Sequence, residues 1–380
     1  MRITDDWINA GHVQRVLGML TDAGHQALLV GGCVRNALLA QPVADIDIST
    51  DARPDRVIVL ARAAGLKAVP TGIDHGTVTV VAEGVGHEVT TFRRDVETDG
   101  RRAVVAYSDR IEDDAARRDF SMNALYADAR GQIVDPMDGL ADLKARRVRF
   151  VGDAGERIRE DYLRILRFFR FHAWYGDPAE GLDPEGFAAC SANSAGIETL
   201  SRERTTHEMR RLLAAGDPSQ AVAAMQAAGI LARVLPGADA RALAPLVHLE
   251  PPYAPDWLRR LLVLGGTGPA EHLRLSRAEA RRVDLLAQAL ATGEGPEVTA
   301  YRHGADIARD AVLVAAALMG HALPEGWEDR VARGARAVFP IRSADLMPAL
   351  SGAALGVRLR AIEERWIASG FELSREQLLA

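Results

Sequence analysis

Leu28-Leu29-Val30-Gly31-Gly32-Cys33-Val34-Arg35-Asn36-Ala37-Leu38, closed by Ala44-Asp45-Ile46-Asp47-Ile48, is the stretch on which the reading of the fold turns. An apolar run stops at two glycines, a short amphipathic helix follows with an arginine in its first turn, and a second short strand carries two aspartates two residues apart. Strand side chains alternate faces, so Asp45 and Asp47 are expected on one face while Ile46 and Ile48 enter the core. Neighbouring carboxylates repel each other, and a shared hard cation such as Mg²⁺ is the usual reason to tolerate them. Gly31 and Gly32 let backbone N–H groups approach an anion at a helix start, and Arg35 adds a guanidinium fork for phosphate oxygens. The stretch reads as a phosphate cradle beside a metal clamp. A bare Asp-x-Asp would serve equally as a solvated strand end, and it is the flanking glycines and arginine that favour the clamp.

Outward from this stretch, a helix is expected from Asp6 to Ala23 and another from Pro54 to Ala64, each stopped by a glycine. Strand character marks Thr77 to Val81, His87 to Phe92 and Ala103 to Ala106, with a hairpin of Ala124–Ala127 and Gln132–Val134 turned at Arg130-Gly131. The polar run 93–102 between two of these strands reads as a mobile loop, either a solvated tip or a lid over substrate. After Phe150 nearly everything is amphipathic helix, broken at Gly/Pro clusters such as Gly176-Asp177-Pro178 and Pro251-Pro252. The expectation is an α+β head with a small mixed sheet over residues 1–142, then an all-α remainder divided at 143–215 and 216–380.

At 380 residues two or more domains are the default. A net charge of −6 excludes non-specific coating of nucleic acid, although residues 143–175 hold nine Lys or Arg against four Asp or Glu, a local +5 that suits an RNA backbone. Only Lys67 and Lys144 are lysines among 46 basic residues, which a GC-rich coding sequence explains for most positions. Two cysteines cannot build a disulfide framework. No apolar signal segment or bilayer-length run is visible, so a cytoplasmic, soluble protein without a membrane partner is expected.

Three further constellations bear on chemistry. Two metals between carboxylates and a triphosphate are a known solution for in-line nucleotidyl transfer, and Glu88, on the strand His87-Glu88-Val89, is the candidate third carboxylate beside Asp45 and Asp47; an exposed structural glutamate is the alternative. Asp114-Ala115-Ala116-Arg117-Arg118-Asp119-Phe120-Ser121-Met122-Asn123 offers Arg117, Arg118, Asp119 and Asn123 to phosphates and a ribose hydroxyl. An ion-paired turn would look similar. In Arg159-Glu160-Asp161-Tyr162-Leu163-Arg164-Ile165-Leu166-Arg167, Asp161 and Arg164 lie one helical turn apart, either as an intrahelical ion pair or as a base-reading pair, with Arg167 one turn on. One carboxylate acceptor beside one guanidinium donor fits cytosine and adenine, which present an exocyclic amino group next to a ring-nitrogen acceptor, and rejects uracil and guanine. Ser201-Arg202-Glu203-Arg204 reads as a capped helix start that supports the pocket.

Gly31-Gly32-Cys33-Val34-Arg35, Asp45-x-Asp47, Arg117-Arg118-Asp119-Phe120 with Asn123-Ala124, Glu160-Asp161-x-x-Arg164, and Glu203-Arg204 with Glu208 occur in one order between Leu28 and Leu213. In this the chain resembles the class II tRNA nucleotidyltransferases, the bacterial CCA-adding enzymes, and their relatives the bacterial poly(A) polymerases. The resemblance implies a polymerase-β-like nucleotidyltransferase head with Asp45 and Asp47 as metal ligands, then an elongated helical neck, body and tail holding the tRNA 3′ end and acceptor stem. It further implies Mg²⁺-dependent, template-independent addition of CCA from CTP and ATP, selected by Asp161 and Arg164, with no role for DNA. A poly(A) polymerase, or an enzyme adding only CC or only A, would share every motif, and an RNA-binding protein without catalysis is the remaining class. Asn36 departs from the aspartate that most often follows the arginine in this family. No His-Asp dipeptide is present, so the second, phosphohydrolase activity of some members is not expected.

Overall fold

The computed structural model describes residues 1–99, 102–347 and 349–380. The chain divides into two compact units, Met1–Val234 and Leu235–Ala380. The expected head, the expected neck and residues 216–234 all fall within the first of these units.

The first unit is built on a seven-stranded sheet. In chain order its strands are β1 (Ala27–Val30), β2 (Asp47–Thr50), β3 (Lys67–Gly72), β4 (Thr77–Ala82) and β5 (Val85–Thr91). β6 (Arg93–Asp99) and β7 (Arg102–Tyr107) form a separate ribbon, and β8 (Tyr126–Ala127) and β9 (Ile133–Val134) complete the sheet. The order is β3-β4-β5-β2-β1-β8-β9, with β2 and β5 parallel and every other pair antiparallel. Leu29, Val30, Ile48, Val78, Val80 and Val89 are buried, as strands packed on one or both faces require. The helices here are α1 (Gly11–Thr21), α2 (Gly32–Leu38), α3 (Pro54–Ala63), α4 (Ile111–Ala116) and α5 (Gly139–Lys144).

The polar run expected as a loop pairs instead as the β6–β7 ribbon, in register from Arg93↔Tyr107 to Asp99↔Arg102; its Gly100-Arg101 tip lies outside the described residues. A two-stranded ribbon standing apart from the sheet needs no apolar face, so polarity alone does not exclude strand, and Val96, Thr98, Val104 and Val105 favour extended backbone.

Six helices continue the first unit: α6 (Ala154–Glu160), α7 (Leu163–Tyr175), α8 (Pro184–Ala192), α9 (Arg202–Leu213), α10 (Ser219–Ala227) and α11 (Ile230–Val234). The buried rings of Phe120 and Phe150, 4.9 Å apart, meet those of Phe168 and Phe171 on α7 at centroid distances of 5.0 to 6.4 Å. This aromatic cluster joins α7 to the sheet side of the unit. The Ser201 hydroxyl caps α9 by accepting from the Arg204 backbone N–H, as its sequence implied.

The second unit is helical throughout its described residues, from α12 (Leu243–Leu249) through α13 (Trp257–Leu264), α14 (Pro269–His272), α15 (Arg277–Thr292), α16 (Pro296–His303), α17 (Ala305–Met319), α18 (Trp327–Arg336), α19 (Ser343–Leu346) and α20 (Gly352–Ala368) to α21 (Arg375–Leu379). Its interior carries an ion network in which Arg259 and Arg260 both donate to Glu250, and Arg259 also to Asp310. Four nearly fully buried charges can persist there only because each is paired and hydrogen-bonded.

Candidate active site

β1 is buried along its whole length and stops at Gly31, whose φ of +71° and ψ of −118° suit glycine and strain any other residue. α2 starts at once, with no side chain capping its N-terminus. A Cβ on Gly31 would stand 3.4 Å from the Arg118 guanidinium, so the absence of a side chain keeps the turn open toward that cation. Asp47 opens β2, and Asp45, expected on the strand, lies in the connection two positions before it. Both still face a cavity of about 430 Å³, lined also by Gly31, Gly32, Arg35, Arg118, Asp119 and Asn123.

Charge in the clamp is in excess. Burial, the Glu88 and Asp45 charges, and only partial relief from Arg118 push the Asp47 carboxyl up to about 6. Glu88 stands beside Asp47 in the parallel β2–β5 register and lines a second recess together with Asp45 and Asp47. Among the described residues no three Asp, Glu, His or Cys side chains converge as a preformed cage. The arrangement thus suits a cation that completes its oxygen shell from water and a phosphate ligand, as Mg²⁺ does. Cys33 takes no part, since burial pushes its thiol up to about 11.

Each arginine around the cavity is fixed in its own way. Arg118 donates to Asp114 at 3.0 Å and to the Tyr126 hydroxyl at 3.1 Å. Burial works against its charge, but Tyr126 and Asp114 outweigh burial and raise its pKa. Asp114 is fully buried; burial disfavours its charge, yet Arg118, Arg117 and the Tyr126 hydroxyl hold it at about 2. Arg35 donates to Asn123, to Asn36 and, at 2.8 Å, to the Tyr175 hydroxyl, and its guanidinium lies 4.1 Å from the Tyr175 ring centroid. Asn36 explains itself here, because its carbonyl accepts from Arg35 while its amide donates to Pro42 O at 2.9 Å. Arg167 donates to Asp119 at 2.7 Å, and Arg170 donates to the buried Glu208 at 2.5 Å.

The structure therefore brings Gly31, Gly32, Arg35, Asp45, Asp47, Arg118, Asp119, Asn123 and Arg167 to one cavity and sets four expected residues apart from its lining. Glu88 faces the adjoining recess, and Arg117 is spent on Asp114 at 2.7 Å. Asp161 and Arg164 make no side-chain pair with each other, because the chain breaks between α6 and α7 at Asp161-Tyr162. Asp161 accepts from Arg204 at 2.6 Å, whereas Arg164 donates to Glu160 at 2.5 Å and to the Arg157 and Arg117 carbonyls. Sequence reasoning missed Arg170, Phe171 and Tyr175, which line the cavity from α7, and Arg211 from α9. The 167-171-175 spacing, one turn per step, was the available signal.

A mixed sheet sets two carboxylates beside a glycine turn and an arginine-lined cavity, the arrangement expected of a nucleotidyltransferase head. Comparison with known proteins agrees: residues 27–149 match the family model of the poly A polymerase head domain, and residues 181–241 match one described as a probable RNA and SrmB-binding site of polymerase A. The CCA-adding enzyme of Streptococcus pyogenes serotype M1 is 41% identical over 217 residues, 56% of this chain and 52% of that protein. The chain spans about half the length of the curated relatives it matches. The crystal structure of the Bacillus stearothermophilus CCA-adding enzyme in complex with CTP superposes with a TM-score of 0.76 at 28% identity, covering 96% of this chain and 94% of that one. A Thermotoga maritima CCA-adding enzyme complexed with tRNA shares the fold, with a TM-score of 0.71 at 17% identity over 99% of this chain and 95% of that one. Over its head and the segment 181–241 the chain is similar to the tRNA nucleotidyltransferases and bacterial poly(A) polymerases.

Proposed function

We propose that this protein adds CCA to the 3′ end of tRNA, without a template, from CTP and ATP. The observation that carries the reading is the single cavity in which the Asp45 and Asp47 carboxylates meet the Gly31-Gly32 turn and the Arg35 and Arg118 guanidiniums. The B. stearothermophilus enzyme that shares the fold binds CTP. The terminal RNA hydroxyl attacks the α-phosphorus, the bond to the β-phosphate oxygen breaks, and pyrophosphate leaves. Asp45 and Asp47 would hold Mg²⁺, with Glu88 at the flank; when bound, the metal supplies charge neutralisation for the attacking and departing oxygens. Arg118 stays charged at any working pH and is held by Asp114 and Tyr126, so it offers a fixed cation to the triphosphate. Arg35, gripped by Tyr175, Asn123 and Asn36, does the same from the turn. Asp119 and Asn123 offer a carboxylate and an amide to the ribose, and Arg167 orients Asp119. Asp161 and Arg164 select cytosine and adenine, with Arg204 and Glu160 holding the two side chains that would read the base.

No helix among the described residues is long and apolar enough to cross a membrane, and we place the protein in the cytoplasm with its tRNA. Because the matched head family is described as that of poly A polymerase, poly(A) addition is the second reading. Labelled CTP and ATP offered with a tRNA lacking its 3′ end separate the two. Incorporation of both nucleotides in the ratio 2:1 supports CCA addition, and long runs of A contradict it.

A further inference from the structure

α7 presents one face to the cavity: Arg167, Arg170, Phe171 and Tyr175 all line it. Trp174 falls on that face by spacing, one turn beyond Arg170 and Phe171. Unlike those neighbours, which are half-buried or buried, Trp174 is 42% exposed, an unusual fraction for so large an apolar ring. It is nevertheless fixed, because its indole N–H donates to the Arg211 carbonyl on α9 at 2.7 Å. A ring held by its edge with its surface toward solvent is a stacking platform.

Arg211 supplies the second half. It is among the residues that line the cavity. The other cavity arginines are spent on Asp114, Asp119, Glu208 and the Tyr175 and Asn123 side chains. Arg211 has no ion-pair partner among the described residues. Five arginines face three aspartates in the cavity as a whole, so the rim favours an anionic chain.

We propose that Trp174 and Arg211 seat the single-stranded 3′ end of the acceptor RNA, with a nucleobase stacked on the indole and a backbone phosphate on the guanidinium. This rests on the reading that RNA is the acceptor. Stacking on an exposed aromatic beside arginines is the general means of holding single strands without reading their sequence, and an acceptor whose 3′ end differs at each addition needs such tolerance. The seven steps from Arg167 to Trp174 rise roughly 10 Å along the helix, the scale of one or two nucleotides. An RNA whose terminal hydroxyl reaches the carboxylate clamp therefore leaves a preceding base at the rim.

The test compares wild type with Trp174→Ala and Trp174→Phe, using a tRNA transcript that lacks the terminal trinucleotide. The Ala variant is expected to raise the KM for that RNA about tenfold with the KM for CTP unchanged, and the Phe variant to restore most of the loss. In a separate titration, the transcript should quench tryptophan fluorescence of the wild type more than that of Trp174→Phe. This second readout reports RNA contact whether or not CCA is the product, so it distinguishes failure of the seat from failure of the proposed reaction. Equal quenching in both proteins overturns the proposal. So does a rise in the CTP KM with the RNA KM unmoved, which would make Trp174 a platform for the incoming nucleotide.

Discussion

Asp114 and Asp119 do two jobs at once, holding arginines in place and storing pH-dependent stability. Arg118 and Arg117 keep Asp114, and Arg167 and Asn123 keep Asp119, each at about 2 against burial that would raise them. A carboxylate whose folded pKa is depressed adds stability above its unfolded pKa, near 4, and that stability is lost as pH falls through the folded value. Each should contribute about 2 kcal/mol, lost between about pH 4 and 2. Urea titrations from about pH 5 downward are expected to show a shallower acid limb for Asp119→Asn than for wild type, and an unchanged limb contradicts the assignment. At the clamp, Asp45→Ala and Asp47→Ala are each expected to abolish incorporation while tRNA still binds in a filter assay. Asp161→Ala should lower discrimination against UTP and GTP in single-nucleotide incorporation, and unchanged selectivity removes it from base choice. The clamp was legible in the sequence because glycines, arginine and paired aspartates stand close together along the chain. Tyr175 was not, since its contact with Arg35 spans 140 positions and only the fold creates it.

At the scale of elements, the turn between β1 and α2 and the packing of α7 carry the most consequence. Gly31→Ala places a Cβ at φ +71°, ψ −118°, a region almost reserved for glycine, at a cost of order 1–3 kcal/mol. The expected result is a shifted turn, read as a large fall in kcat/KM for CTP. Phe168→Ala empties a fully buried ring from the cluster that ties α7 to Phe120 and Phe150, and should destabilise by about 3–5 kcal/mol in urea unfolding. β4 and β5 were legible from alternation and α3 from Pro54. β3 was not, because Lys67–Gly72 contains Pro70 and has no buried residue, the character of an edge strand. The break between α6 and α7 carries no Gly or Pro signal. It arises where Asp161 takes an extended conformation, bonds the Leu163 N–H and reaches Arg204, so the one-helix reading of Asp161 and Arg164 could not be corrected from sequence.

For the whole molecule, the sequence separated a sheet-bearing head from a helical remainder, and residues 143–234 share a compact unit with that head, where the aromatic cluster that binds α7 is assembled from residues 120 to 171. On the proposed reading, a protein of net charge −6 binding tRNA through a local basic surface should do so with a steep salt dependence. Raising salt from about 50 to about 200 mM is expected to weaken tRNA binding at least ~tenfold, measured by filter retention. On the proposed reading, one cavity in the first unit joins nucleotides to a tRNA end in a set order. Sequencing the products made on tRNA transcripts ending before, within and just short of the final trinucleotide tests it most directly. Completion to CCA and arrest there are expected for every transcript, with loss of all extension in Asp47→Ala. Extension by A alone, or no product from the wild-type protein with both nucleotides and Mg²⁺ present, would contradict it.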